Sequence, residues 1–328
     1  MLLFGVCQKI AGSAAANKFA RAAWLLVVMV LVCGSSSRAT PPEIPPGRFL
    51  NIFTRDEGDR VHFYAQNLQL GAVTTTFELQ LTNMTGSTNF PYTTTLAAGE
   101  TAEMFTLAPT QKEFPCHYSY VNSAILGDAE AVHDDAIVYS LPYAPGSSFR
   151  VSQGYHGTFS HTGPDEYAID WKMPVGTPVY AARGGLVVKA KDDSNRGGPR
   201  REFEASANCI LVQHADGTLG MYGHLKQGGN RVKAGDRVRA GDLIGLSGKT
   251  GFANGPHLHF AVFKAGNGSE RVTLPVKFRT ADGSGLTLES GQSYKAATAE
   301  LPQPEEDSVS AAAMQIDWPT GWCRWLLP

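Results

Sequence analysis

Apolar and polar positions alternate with a period of two through much of the first half of this chain. Val61, Phe63 and Ala65 are separated by polar residues or by tyrosine, and Val73, Thr75, Phe77, Leu79 and Leu81 interleave with Thr74, Thr76, Glu78, Gln80 and Thr82. Successive side chains of a strand point to opposite faces, so this pattern marks half-buried strands. Turn-forming residues at 96–99 and 127–128 and an apolar run at 136–141 extend the series. Residues 48–145 are therefore expected to form a small β-sandwich-like domain. Its histidines, His62, His117 and His133, lie among Tyr64, Tyr118 and Tyr120 without ligand spacing, so they read as surface or core residues.

From Tyr143 the texture changes to short strands punctuated by glycine, at 178–182, 186–190, 209–214 and 218–224. Ala215-Asp216-Gly217 is a hairpin signal, and 232–238 and 243–246 flank a turn at Gly241-Asp242. No long amphipathic helix interrupts them. The fold class is all-β, with a second domain of tight hairpins over 146–280. Within it the stretch KDDSNRGGPRREFEASAN, residues 191–208, reads as a mobile charged surface loop able to rim a site.

The ends differ from both domains. Lys18 and Arg21 precede an apolar run at 22–32 that is too short to span a bilayer comfortably, so 1–39 reads as a signal peptide cleaved after Ala39. A lipid on Cys33 or an uncleaved anchor helix are the alternatives, and either would tie the chain to a membrane. Residues 40–47 are a proline-rich linker. Residues 281–328 read as a C-terminal extension, acidic and disordered over 300–310, ending in Trp318, Trp322 and Trp325.

Composition narrows the chemistry. The chain has 328 residues, 18% of them charged, and a net charge of −2, which gives no reason to expect a nucleic-acid partner. Cys116, Cys209 and Cys323 remain after export, with no CxxC pair, so a metal would have to be held by histidine and carboxylate.

Such ligands are present. In Gly255-Pro256-His257-Leu258-His259-Phe260 two histidines stand at i and i+2, on one face of a strand, with Leu258 and Phe260 on the other. His161 and, nine residues on, Asp170 in Tyr167-Ala168-Ile169-Asp170-Trp171 add an imidazole and a carboxylate. Three protein ligands, His161, Asp170 and His259, suit a catalytic zinc with its fourth position open to water, where a structural site would use four. Tyr222 and His224 share a face at the end of a hairpin strand and are cleft candidates. His214, beside the hairpin turn, reads as a structural or outer residue, and His156, the rival of His161, as a loop residue flanking the cleft.

This ordered set resembles the lysostaphin-type, LytM-like zinc metalloendopeptidases, a family built on a duplicated hybrid β-hairpin fold. The likeness spans about 130 residues and includes Val175-Gly176-Thr177-Pro178-Val179, Ala182-Arg183-Gly184-Gly185, Tyr222-Gly223-His224-Leu225 and Val238-Arg239-Ala240-Gly241-Asp242. It implies one zinc ion per chain on His161, Asp170 and His259. His257 is then the preferred general base and His224 the group that orients substrate or stabilises the tetrahedral intermediate, roles that could be exchanged. It further implies hydrolysis of the stem or cross-bridge peptides of bacterial peptidoglycan, in the periplasm or cell envelope. A non-catalytic regulator of cell-wall amidases and a secreted protease acting on proteins are the alternatives. The sequence departs from the family twice. The usual spacing puts the aspartate four residues after the first histidine, which makes Asp165 a rival to Asp170, although the Ile169-Asp170-Trp171 context fits better. Ala261 stands where relatives often carry glutamate.

Overall fold

The computed structural model describes residues 48–298. The leader, the proline-rich linker and the tryptophan-rich end lie outside the described residues. Among the described residues no helix is long and apolar enough to cross a membrane. Apart from two 3-10 turns, Gly163–Asp165 and Arg201–Ser206, every regular element among the described residues is a strand.

The first half forms two antiparallel sheets. One has the order Leu50–Glu57, Arg60–Asn67, Thr101–Pro109, Met84–Gly86, and the other Tyr92–Leu96, Val73–Thr82, His117–Leu126. The alternating residues do what their spacing predicts: Phe63 and Ala65 on one sheet and Val73 and Phe77 on the other are fully buried. Phe63 stacks on Phe105 at 4.7 Å, and Phe77 and Tyr120 meet these rings edge-on from the second sheet at 5.3 and 5.4 Å. Each such aromatic contributes on the order of 1.5–3 kcal/mol through burial alone.

The second half is built on one large antiparallel sheet. Its order is Arg237–Val238, Gly185–Lys191, Cys209–Gln213, Leu219–Gly223, Leu258–Ala265, Ile169–Trp171, Ser148–Gln153, Ser293–Lys295. The expected hairpin is present, with Cys209 opposite Gly223 and Gln213 opposite Leu219 across the 215–217 turn. One face of this sheet carries Ile210, Val212, Tyr222, Leu258, Phe260 and Val262 into a core shared with Ile169 and Trp171. Two small sheets close that core, one pairing Pro178–Tyr180 with Leu243–Leu246, the other joining Val138–Ser140, Lys277–Thr280 and Gly283–Leu286.

Four local expectations change. The apolar run at 136–141 does form a strand, but it pairs in parallel with Lys277–Thr280 rather than inside the first domain. Tyr139 is buried in the core of the second half, beside Phe260 and Phe278, which draws the run across. The segments flanking Gly241 do not pair with each other: Val238 pairs with Gly185, and Leu243–Leu246 with Pro178–Tyr180. Residues 281–298 are not a loose extension, because Ser293–Lys295 adds a strand beside Ser148–Gln153 and Tyr143 Oη donates to the Tyr294 carbonyl at 2.7 Å. The 191–208 insertion is anchored. Gly197–Gly198 pairs in parallel with Gly251–Phe252, and buried Asn208 donates to the carbonyls of Ser194 and Leu225 at 2.8 and 3.2 Å. A side chain at Gly197 would strike the Lys249 carbonyl, so glycine is what lets these two segments meet.

The opposite face of the large sheet serves two purposes. Near its far end Val188, Leu211, Leu219 and Phe263 join Phe63, Phe77 and Phe105 in a single second core, so the first half of the chain is seated on the sheet. Polar ties complete the junction: Gln213 Oε1 accepts from the Ala72 amide at 3.2 Å, and Thr76 Oγ1 from the Gly268 amide at 3.0 Å. Two residues from Phe263 along the strand is Ala261, and two further is His259, on the same face.

Candidate metal centre

Strand register sets the centre of the site. Ile169–Trp171 lies beside Leu258–Ala265 with Asp170 directly opposite His259, and Gly223 is opposite His259 on the other side. Both strands are locked by their alternate residues, Ile169, Trp171, Leu258 and Phe260, in the core. Asp170 and His259 are therefore held on rigid elements, with His259 Nδ1 2.9 Å from Asp170 Oδ1.

His161 arrives from a loop, yet it is fully buried. Its amide donates to the Gly157 carbonyl at 3.0 Å, and its Nδ1 donates to the Gly154 carbonyl at 2.8 Å. A carbonyl can only accept, so Nδ1 carries the proton and Nε2 presents its lone pair. That Nε2 has no hydrogen-bond partner although it is enclosed, and it lies 3.2 Å from Asp170 Oδ2. A lone pair facing a carboxylate in a buried site calls for a cation between them, a proton or a metal. Ligand atoms of His161, Asp170 and His259 all lie within 4.8 Å of one another. Two imidazoles and a carboxylate form a donor set that fits zinc.

Electrostatics agree with a site made for positive charge. Burial opposes ionisation of Asp170, but the imidazoles of His161, His259 and His257 around it hold its carboxyl well below the usual range. Burial likewise opposes a charge on His161, and the neighbouring Asp170 carboxylate outweighs it, raising that imidazole above its ordinary value.

Two further imidazoles stand beside this group. His257 precedes the strand proper and is held by a bridge to Gly248, with its Nδ1 donating to the Gly255 carbonyl at 2.9 Å and its Nε2 3.9 Å from Asp170 Oδ2. His224 follows the strand Leu219–Gly223 with a left-handed φ of 59°, and its Nδ1 donates to the Thr250 carbonyl at 2.7 Å. The rings of His224 and His257 are 4.5 Å apart, and those of His224 and His259 5.6 Å. Burial, then the nearby His257 and His259, lower the pKa of His224 to about 3, so it is neutral. Gly248 makes the approach possible: a side chain there would collide with the backbone of His224, Leu225 and Lys226.

The structure thus brings together His161, Asp170, His224, His257 and His259. It leaves the other candidates elsewhere. Tyr222 is fully buried in the core, with its hydroxyl accepting from the Ala182 amide at 2.7 Å and its ring against Phe260, so it is no cleft residue. His214 donates from Nδ1 to the Gly184 carbonyl at 2.8 Å and meets Tyr139 edge-on, and burial lowers its pKa to about 4. His156 is on the loop before His161, exposed, with its Nδ1 3.0 Å from Glu166 Oε1. Asp165 ends the turn Gly163–Asp165, bonds to Arg271, and comes within 3.8 Å of His259 Nε2.

Several supporting residues carry no signal in the sequence pattern. Gln153 Oε1 accepts from the amides of Phe159 and Ser160 at 3.1 and 3.2 Å, while its Nε2 donates to Ser160 Oγ at 2.8 Å and Asp170 Oδ2 at 3.2 Å. It ties the His161 loop to the central carboxylate. Thr250 Oγ1 accepts from the Asn208 amide at 3.0 Å and donates to the Leu225 carbonyl at 2.8 Å, bracing the acceptor of the His224 proton. Only strand pairing reveals these residues, since none is near in sequence to the group it supports.

The fold and donor set give the second half of the chain a β-built site that could hold one metal ion. Residues 164–271 match the family model described as Peptidase family M23. That match covers the part of the chain that carries most of the candidate site. Asp170, His224, His257 and His259 fall within the match, and His161 just before it. An uncharacterized metalloprotease of Buchnera aphidicola subsp. Baizongia pistaciae is 40% identical over 140 residues, which is 42% of this chain and 34% of that protein. Peptidoglycan DD-endopeptidase ShyA of Vibrio cholerae serotype O1 is 33% identical over 129 residues, 38% of this chain and 27% of that one. Among solved structures, the catalytic domain of lysostaphin from Staphylococcus simulans is 31% identical, covering 36% of this chain and 80% of that one with a TM-score of 0.27. This chain spans about a third or less of the curated relatives' own length.

Proposed function

We propose that this chain is a zinc-dependent endopeptidase that hydrolyses peptide cross-links of bacterial peptidoglycan. The observation that carries the reading is the enclosed, partnerless Nε2 of His161 facing Asp170 beside His259. A zinc ion held by those three residues would supply Lewis acidity and lower the pKa of a bound water. The family and the Vibrio relative, named a peptidoglycan DD-endopeptidase, support the substrate class.

The chain's own residues then divide the remaining work. His257 donates its Nδ1 proton to Gly255, so its Nε2 is the basic nitrogen, and Asp170 stands close enough to stabilise the imidazolium that forms. This makes His257 the general base. His224 in the tautomer set by Thr250 presents an acceptor at Nε2, and a pKa of about 3 makes it too weak a base to compete. It is suited to orienting a peptide N–H, while stabilising an oxyanion would require a proton it does not hold. The signal-like N-terminus and the proposed extracytoplasmic substrate support a location in the cell envelope, tied to a membrane if the leader is retained or Cys33 is lipidated.

Two measurements test this reading. Purified full-length protein should bind one equivalent of zinc. Zinc-loaded wild type should release muropeptides from purified sacculi, detected by mass spectrometry, while His257→Ala keeps its zinc and releases none. Absence of stoichiometric zinc would overturn the metal reading. Intact sacculi with zinc-loaded wild type would shift the function to regulation of amidases or cleavage of proteins.

A further inference from the structure

Asp165 stands on the far side of His259 from Asp170. His259 Nδ1 is 2.9 Å from Asp170 Oδ1, whereas its Nε2 is 3.8 Å from Asp165 Oδ1. The second distance is longer than a hydrogen bond, so in the structure the contact is electrostatic. The same Asp165 oxygen is bonded to Arg271 Nη2. Arg271 is itself positioned, since its strand pairs Arg271 with Ala265 and its guanidinium sits over the Phe263 ring at 5.9 Å. The loop is held to that strand a second time by the Tyr167 amide, which donates to buried Thr273 Oγ1 at 3.1 Å. A carboxylate fixed at both ends of its loop is thereby aimed at the one ring nitrogen of His259 that faces away from Asp170.

A ligating imidazole needs its other N–H engaged by an acceptor, which sets the tautomer, orients the ring and raises its basicity. On Leu258–Ala265 itself the next residue on that face is Ala261, which has no acceptor to give. Resting on the zinc reading above, we propose that Asp165, clamped by Arg271, is the positioning carboxylate of His259 and not a metal ligand. The extra residues between His161 and Asp170 then have a purpose: they carry this carboxylate to the site from outside the sheet.

The test is zinc affinity, measured by chelator competition with metal-stripped full-length protein, for wild type, Asp165→Asn, Asp165→Ala, Arg271→Ala and the Asp165→Ala/Arg271→Ala pair. Loss of such an outer partner weakens metal binding by about 10–100-fold. That loss is expected for Asp165→Ala and Arg271→Ala, with the double variant no weaker than the worse single one and Arg271→Lys recovering part of it. The isosteric Asp165→Asn removes the charge without emptying the space and should also lose affinity. In zinc-loaded protein the His259 ring N–H proton should be observable by NMR in wild type and lost to exchange in Asp165→Ala, a change that loop stability alone would not produce. Wild-type affinity in Asp165→Ala would overturn the inference, as would retention of zinc by Asp170→Ala, which would make Asp165 the ligand. Wild type that takes up no zinc would overturn the zinc reading and this inference together, and so is distinguishable from either result.

Discussion

At one end of the strand Leu258–Ala265 the open face of the sheet holds His259 among Asp170, His224 and His161, all polar and one of them partnerless at Nε2. At the other end of the same strand and face, Phe263 is packed with Leu219, Leu211 and Val188 under the aromatic core of the first half of the chain. The alternate residues, Leu258, Phe260 and Val262, anchor both ends in the same core behind. One end stores unsatisfied polar groups that lower stability and serve chemistry; the other contributes the apolar burial that offsets them. The first half of the chain is thus part of the support of the site, although it contributes none of its ligands.

The largest effect that would break this comparison is expected at the apolar end. Leu219 is 1% exposed and lies in the shared core. Leu219→Ala should cost about 2–5 kcal/mol of stability by urea unfolding, with zinc affinity unchanged. His257→Ala, at the polar end, should change stability by less than about 1 kcal/mol while removing activity. Because one core spans both halves, the described part of the chain should unfold in a single transition. Two resolved transitions, with Leu219→Ala moving only one, would show that the halves are independent.

Much of this arrangement is legible in the sequence. The alternation at 73–82 becomes the strand Val73–Thr82, and the i, i+2 histidines share a face because Leu258 and Phe260 are claimed by the core. Asp170 is brought to the centre over Asp165, as the aromatic and aliphatic neighbours suggest, because Ile169 and Trp171 bury on either side of it. What could not be read is what depends on pairing. Gln153 reaches Asp170 only because Ser148–Gln153 lies beside Ile169–Trp171, and Thr250 serves His224 across a gap of 26 residues. The burial of Tyr222 was also hidden: it shares a strand with the approach to His224, but that strand ends at Gly223 and the backbone turns left-handed at His224, which separates their directions.

A smaller effect distinguishes the buried imidazoles from one another. His214 sits toward the core side, against Tyr139, with its Nε2 lacking a partner and its pKa lowered to about 4 mainly by burial. The unfolded chain takes up a proton near the ordinary imidazole pKa of about 6.5, but the native site does not until about pH 4. Between those values the unfolded state binds more protons, so stability falls as pH drops through the window. The loss attributable to this residue is about 3 kcal/mol at its limit, reached below about pH 4. Comparing urea midpoints at pH 7 and pH 5 for wild type and His214→Gln checks it: the variant should lose less on acidification. An equal loss in both proteins would remove His214 from the account.

The smallest effect concerns the polar end alone and asks whether its geometry is set from outside the metal group. His224 is neutral and donates to Thr250, whose hydroxyl is in turn fixed between the Asn208 amide and the Leu225 carbonyl. Asn208 also holds the 191–208 segment through Ser194, so one buried amide links that segment to the acceptor of the His224 proton. Thr250→Val keeps the shape and removes both hydroxyl bonds, leaving the Asn208 amide unpaired. The expected result is a fall in kcat of about 10–100-fold, equivalent to roughly 1.4–2.7 kcal/mol at the transition state, with zinc affinity unchanged. Thr250→Ser restores the hydroxyl and should restore most of the rate. If valine and serine variants behave alike, His224 is oriented by its own left-handed backbone and by Gly248 beneath it, and the brace through Asn208 matters only to the fold.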